Sequence, residues 1–179
     1  MVLALQAYTT PANTIVISDT AALAGTLPTP AISTSPAINS PSIDGSDTYI
    51  WSPNTASSQT VVFRSTFEIG NMPILALALP VSACFAFTGN DIASVSASLE
   101  VVNLLGVIVA TIPLFTETNL GNPQNVAIAA GDALLVVDLL GNAGRIVVET
   151  TVTSPSVVAY STNPGRYLGQ LTVNTLAVI

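Results

Sequence analysis

Side-chain catalysis needs groups that change protonation near neutral pH, and this 179-residue chain is nearly bare of them: no histidine, no lysine and one cysteine, Cys84. The Ser-His, Cys-His and Ser-Lys pairs that activate a nucleophile cannot be built from it. Paired carboxylates remain, drawn from Asp91, Glu100, Asp132, Asp138 and Glu149. None lies in a recognisable catalytic phrase, and Asp91, Asp132 and Asp138 sit in or beside turns, where aspartate bonds its own backbone. The chain reads as a non-enzyme with no catalytic residue.

Zinc and other transition metals lack their nitrogen and sulfur ligands here. Calcium needs only oxygen, and DGSD at 44 to 47 offers Asp44 and Asp47, but without the spacing of a calcium loop. A solvated turn is the first reading, so no metal and no cofactor are expected. The short glycine turns GNAGR and GNP lack the lysine and helix of a phosphate loop. Tyr49 and Trp51, two apart on one strand face, would form a sugar-stacking platform if exposed. A lone tryptophan in a domain of this size is core first and platform second.

Charge narrows the partners. Only 7% of residues are charged, against about 25% in ordinary domains, while 50% are hydrophobic. The cations are Arg64, Arg145 and Arg166 against ten carboxylates. Nucleic acid requires clustered cations to displace counterions, so it is excluded as a partner, and an anionic membrane surface is disfavoured likewise. The apolar runs at 74 to 87 and 101 to 115 each contain a proline and fall short of the roughly 18 residues of a spanning helix. No membrane insertion is expected. Cys84 lies inside the first run and reads as a buried, inert thiol, with an intersubunit disulfide as the second reading.

The elements that carry these residues are strands. From residue 46 onward short β-branched segments alternate with Gly, Pro, Asn and Ser turns, and the apolar residues never settle into helical spacing. TVVFRSTFEI is the clearest, with Val61, Phe63, Phe67 and Ile69 on one face and Val62, Arg64, Thr66 and Glu68 on the other. Val81, Ala83, Phe85 and Phe87 share a face in VSACFAF, with Pro80 dividing it from ILALAL. Two hairpins echo each other at 101 to 111 and 136 to 150, where Asn103 or Asp138 opens a loop and Gly106 or Gly141 takes the left-handed position. The fold class is all-β: a single jelly-roll type β-sandwich of about eight to ten strands.

Residues 1 to 45 differ from this 46 to 179 sandwich domain. They hold no arginine, and LPTPAISTSPAINSPSI at 27 to 43 carries four prolines, the mark of an extended linker. VLALQAY (2 to 8) and NTIVIS (13 to 18) are strand-competent, with Ile15 and Ile17 on one face. Met1 to Ala24 has no cation and is interrupted by polar residues, unlike a secretory signal, and it reads as mature protein. It is an extended N-terminal arm whose strands have no partner nearby in sequence.

DTYIWSPNTASSQTVVFRSTFEI (47 to 69) resembles the opening of galactose-binding-like jelly-roll domains, in which a Trp-containing strand precedes a phrase F-R-x-x-F, here Phe63, Arg64 and Phe67. ALPVSACFAFTGNDIASVSASLEVVN and IAAGDALLVVDLLGNAGRIVVETTV are similar to its later strands, so the resemblance spans roughly residues 47 to 152. It implies a jelly-roll β-sandwich, in a family that includes carbohydrate binders and purely structural modules.

An arm that adds a strand to a neighbour's sheet satisfies backbone groups and buries apolar side chains. Four or five buried aliphatics contribute about 6 to 15 kcal/mol before entropy is counted. Val2, Leu3, Leu5, Ile15, Val16 and Ile17 are the expected interface residues. Donor and acceptor are different surfaces, so the contact is head-to-tail and gives an open filament. The expected function is a self-assembling, pilus-like subunit of an extracellular or cell- or spore-surface fibre, its partners being copies of itself. The plan is similar to that of bacterial endospore appendage subunits, whose connectors carry cysteines; this arm has none, so the link would be non-covalent. The runner-up is a viral capsid-decoration or capsid jelly roll at a virion surface, and the third reading is a carbohydrate-binding module in which Tyr49, Trp51 or Tyr160 stacks on sugar.

Overall fold

The computed structural model describes residues 1–35, 41–45, 48–71, 79–120, 125–135, 143–154 and 165–175. Every regular element among them is a strand: β1 (Val2–Tyr8), β2 (Thr14–Asp19), β3 (Thr29–Pro30), β4 (Ile32–Ser33), β5 (Ile50–Trp51), β6 (Gln59–Asn71), β7 (Leu79–Gly89), β8 (Ile92–Val102), β9 (Ile108–Asn119), β10 (Ala127–Leu135), β11 (Ala143–Ser154) and β12 (Tyr167–Thr175). They form two antiparallel sheets. Sheet 1 runs β10-β7-β12-β5-β4, with β1 also pairing β12; sheet 2 runs β3-β2-β6-β11-β8-β9.

The pairing is nested. β8 pairs β9 in sheet 2, β7 pairs β10 in sheet 1, β6 pairs β11 in sheet 2, and β5 pairs β12 in sheet 1. The chain from β5 to β12 is thus one long hairpin wrapped so that successive pairs alternate between the sheets, which is the jelly roll. From residue 46 onward the described residues hold eight strands, β5 to β12, within the expected eight to ten, and the arm adds β1 to β4 to the two sheets.

Alternation drives the closure. On β6 and β7 the inward residues Val61, Phe63, Phe67, Val81, Ala83, Phe85 and Phe87 are all buried, as the period-two pattern predicts. An aromatic seam runs through the core: Phe63 lies 5.7 Å from Trp51 and 5.1 Å from Tyr167, and Phe85 lies 6.4 Å from Phe67 and 6.0 Å from Phe87 between ring centres. Two glycines make room for it. A Cβ at Gly165 would sit 2.0 Å from the Trp51 indole and one at Gly169 2.3 Å from the Phe85 ring. The Tyr167 hydroxyl shares a 2.7 Å hydrogen bond with Thr150 Oγ1, and burial pushes the pKa of the phenol up.

Pro80 lies within β7 and pairs opposite Leu134, while residues 74 to 78 of the segment it was expected to divide off lie outside the described residues. In the β7–β8 turn the positive φ, 72°, falls on Asp91. The first hairpin closes as expected, with Asn103 Oδ1 accepting from the N–H groups of Leu105 and Val107 and Gly106 at φ 78°. Asp47, most of ILALAL, Asp138, Gly141 and Tyr160 lie outside the described residues.

Candidate functional site: the arm and its acceptor edges

The arm is built into both sheets of its own chain. β1 pairs antiparallel with β12 from Val2↔Thr175 to Tyr8↔Gln170, interrupted by a bulge between Leu3 and Leu5. β5 meets β12 only at Tyr167↔Ile50, so β1 supplies the neighbour that the two-residue β5 cannot. Leu5 and Ala7 pack against the core, whereas Val2 and Leu3 stay exposed at the open end.

The chain then turns a corner from sheet 1 to sheet 2. The Thr9 N–H donates to the Gly169 carbonyl at 2.8 Å and the Gly169 N–H to Thr9 Oγ1 at 2.9 Å. Asn13 organises the corner: its Oδ1 accepts from the Thr10 N–H and its Nδ2 donates to the Tyr8 carbonyl, both at 2.8 Å. Beyond it, Thr14 Oγ1 and Ser65 Oγ share a buried 2.8 Å bond as β2 joins β6.

On β2 the inward face belongs to Thr14 and Val16, which are fully buried, while Ile15 is exposed and Ile17 only partly covered. Ile15 and Ile17 do alternate together, as expected, but they point away from the core. Thr14 can face inward because Ser65 satisfies its hydroxyl, and that partner is invisible in the local sequence. A bulge between Val16 and Ser18 then re-aims the strand so that Asp19 turns inward.

Asp19 latches the arm to the β5–β6 connection. Its Oδ1 accepts from Gln59 Nε2 at 2.8 Å and from the Ala21 N–H at 2.7 Å; its Oδ2 accepts from the Ser52 hydroxyl and from Asn54 Nδ2 at 3.2 Å. Gln59 Oε1 in turn accepts from the Trp51 indole N–H at 3.3 Å. Sequence reasoning missed this cluster. The only signal was an acid and two amides flanking strand ends.

Tyr49 and Trp51 are 4% and 0% exposed, so the sugar platform is corrected: neither ring offers a face to solvent. Trp51 is enclosed by Phe63, Gly165 and Gln59, as a core tryptophan whose one donor has found its acceptor. Cys84 is also corrected. It lies between the inward-facing Ala83 and Phe85, faces outward from sheet 1, and is partly exposed.

The outer face of sheet 2 carries a groove of about 640 Å³ containing two of the three arginines. Arg64 pairs with Glu149 at 2.6 Å and Arg145 with Glu100 at 2.7 Å; Thr66, Ser96, Ser98 and Thr116 add hydroxyls beside Val147. The third, Arg166, is 5% exposed, and its Nη1 has no hydrogen-bond partner among the described residues. Burial lowers its pKa, opposed by Tyr49 and Asp91. Of the carboxylate pool, Glu100 and Glu149 are held by arginines, Asp91 is in a turn and Asp132 is exposed on β10. Among the described residues no group of three or more His, Cys, Asp or Glu side chains could hold a metal ion, and no helix is long and apolar enough to cross a membrane.

No protein-family model and no curated protein matches the chain. Solved structures similar to it include tailspike protein 4 of bacteriophage CBA120, its enzymatically active domain (12% identity, TM-score 0.46, 93% of this chain and 20% of that one). They also include infectious bursal disease virus, Gx strain (13%, 0.42, 79% and 36%). A third is the CBM22-2 xylan-binding domain from Paenibacillus barcinonensis Xyn10C (15%, 0.39, 75% and 89%). The chain thus spans about a third of the bursal virus chain and a fifth of the tailspike chain. At these identities the likeness is one of fold alone.

Proposed function

We propose that this chain is a non-catalytic structural subunit that polymerises into an extracellular or cell- or spore-surface filament by donating its N-terminal strands to a neighbouring sandwich. One observation carries the reading: β5 to β12 already make the nested jelly roll, yet β5 covers only Tyr167 of β12. The edge from Gln170 to Thr175 is completed by β1, an element that lies outside that hairpin. A neighbour's arm can make the same contacts, including the Asn13 corner and the Asp19 latch, so exchange adds polymer without needing new chemistry.

Negative-stain microscopy of the purified chain tests this. Long fibres are expected, and deleting residues 1 to 20 abolishes them. Discrete closed shells would favour the virion reading, and monomers at high concentration would end the filament reading.

The groove on sheet 2 favours a second reading, carbohydrate binding. Its Arg–Glu pairs and hydroxyls set donors and acceptors side by side, as vicinal sugar hydroxyls require. Binding on a glycan array that disappears in Arg145→Ala is the expected result; a blank array removes the reading.

A further inference from the structure

The tip of the β8–β9 hairpin exposes Leu104 (81%), Leu105 (87%), Val107 (55%), Ile108 (44%) and Val109 (53%) in one short stretch. Residues 108 to 111 are exposed in succession, on both strand faces, so the hairpin overhangs the sandwich. The loop that presents them is nonetheless well bonded. The Asn103 N–H donates to the Val107 carbonyl and the Gly106 N–H to the Asn103 carbonyl, both at 2.9 Å, besides the two bonds that Asn103 Oδ1 accepts at 3.0 Å. Greasy side chains held outward by an ordered loop have paid their ordering entropy before any partner arrives.

We infer that this tip is a self-contact, packing isologously on the same tip of a second copy across a two-fold axis. The inference goes beyond arm donation and does not depend on it. Two arguments select a second copy as the occupant. The first is charge: no ionisable residue lies between Val101 and Thr116, and the nearest cation, Arg145, is already paired with Glu100. Like tips can therefore meet without a like-charge pair between these stretches although each chain carries net −7, whereas a membrane-seeking loop would gain from flanking cations.

The second is area. Five aliphatics exposed to this degree present roughly 300 Å² of apolar surface, at about 60 to 120 Å² per fully exposed side chain. Two copies contribute about 600 Å² of apolar surface, the size of a small, transient contact and not of a permanent interface. It suits a reversible dimer in solution, strengthened when copies are held together by another link.

Sedimentation equilibrium of the unpolymerised fraction of the full chain, cleared of any fibres by prior centrifugation, from about 1 µM to about 1 mM tests it, the range expected for an interface of this size. A reversible dimer is expected, weakened at least about tenfold in Leu104→Glu/Leu105→Glu, with thermal midpoint and β-rich circular dichroism unchanged because both positions are exposed loop. Leu105→Cys in a Cys84→Ser background is expected to form an interchain disulfide. A wild-type chain that stays monomeric throughout, together with no cross-link at 105, overturns the proposal. So does binding to phosphatidylcholine vesicles that the double substitution removes without altering self-association, which makes the tip a lipid contact. If the arm links copies into fibres, the double substitution leaves fibre length intact and removes lateral pairing, so the two contacts fail separately.

Discussion

Val16 and Ile15 are adjacent, similar in size and unequal in consequence. Val16 is fully buried and Ile15 is 36% exposed, so Val16→Ala should cost about 2 kcal/mol of unfolding free energy while Ile15→Ala costs about 1 kcal/mol despite removing more side chain. Urea denaturation of the two variants checks the inversion. Tyr167 gives a pH signature. Its folded pKa is raised above the ordinary value of 10.0 by burial, so folded and unfolded chains hold the same proton below pH 10. Above that the unfolded phenol ionises first, and stability falls as pH rises, by up to about 1.4 kcal/mol per pH unit from this group. Tyr167→Phe should flatten that alkaline loss while lowering neutral-pH stability by about 1 kcal/mol, because Thr150 loses its partner. An alkaline titration followed by circular dichroism reads both effects.

At the scale of elements, the arm is held by three different means: a β-ladder to β12, a polar corner around Asn13, and the Asp19 latch. Asp19→Ala leaves Ser52, Asn54 and Gln59 without their shared acceptor in a buried site, with an expected loss of about 2 to 3 kcal/mol. If the arm is exchanged between copies, the same substitution shortens fibres, because the latch then joins two chains; microscopy beside thermal unfolding separates the outcomes. Strand existence was legible here. VLALQAY and NTIVIS are strands, and the β6 and β7 faces follow their alternation, because period two is a local property of the chain. The face of β2 was not legible. It depends on Ser65, fifty-one residues away, and on a bulge that no residue of TIVIS announces.

The whole molecule is an acidic object with few charges to spend, net −7 with two of three arginines neutralised on one face. Copies that associate must overcome this diffuse repulsion, so raising salt to about 0.1 M, where screening acts over about 10 Å, should promote self-association. Light scattering across a salt series is the measurement; assembly that weakens with salt would point to ion pairs between copies instead. The sequence by itself determined the all-β class, the absence of triad chemistry and the hairpin at Asn103 and Gly106, since composition, period and turn residues act over a few neighbours. Only the tertiary structure decided that Trp51 is enclosed, that Cys84 faces outward, and that Asp19, Ser52, Asn54 and Gln59 converge. Those outcomes depend on which distant strands lie side by side, and that is set by burying all the inward faces at once rather than by any one segment.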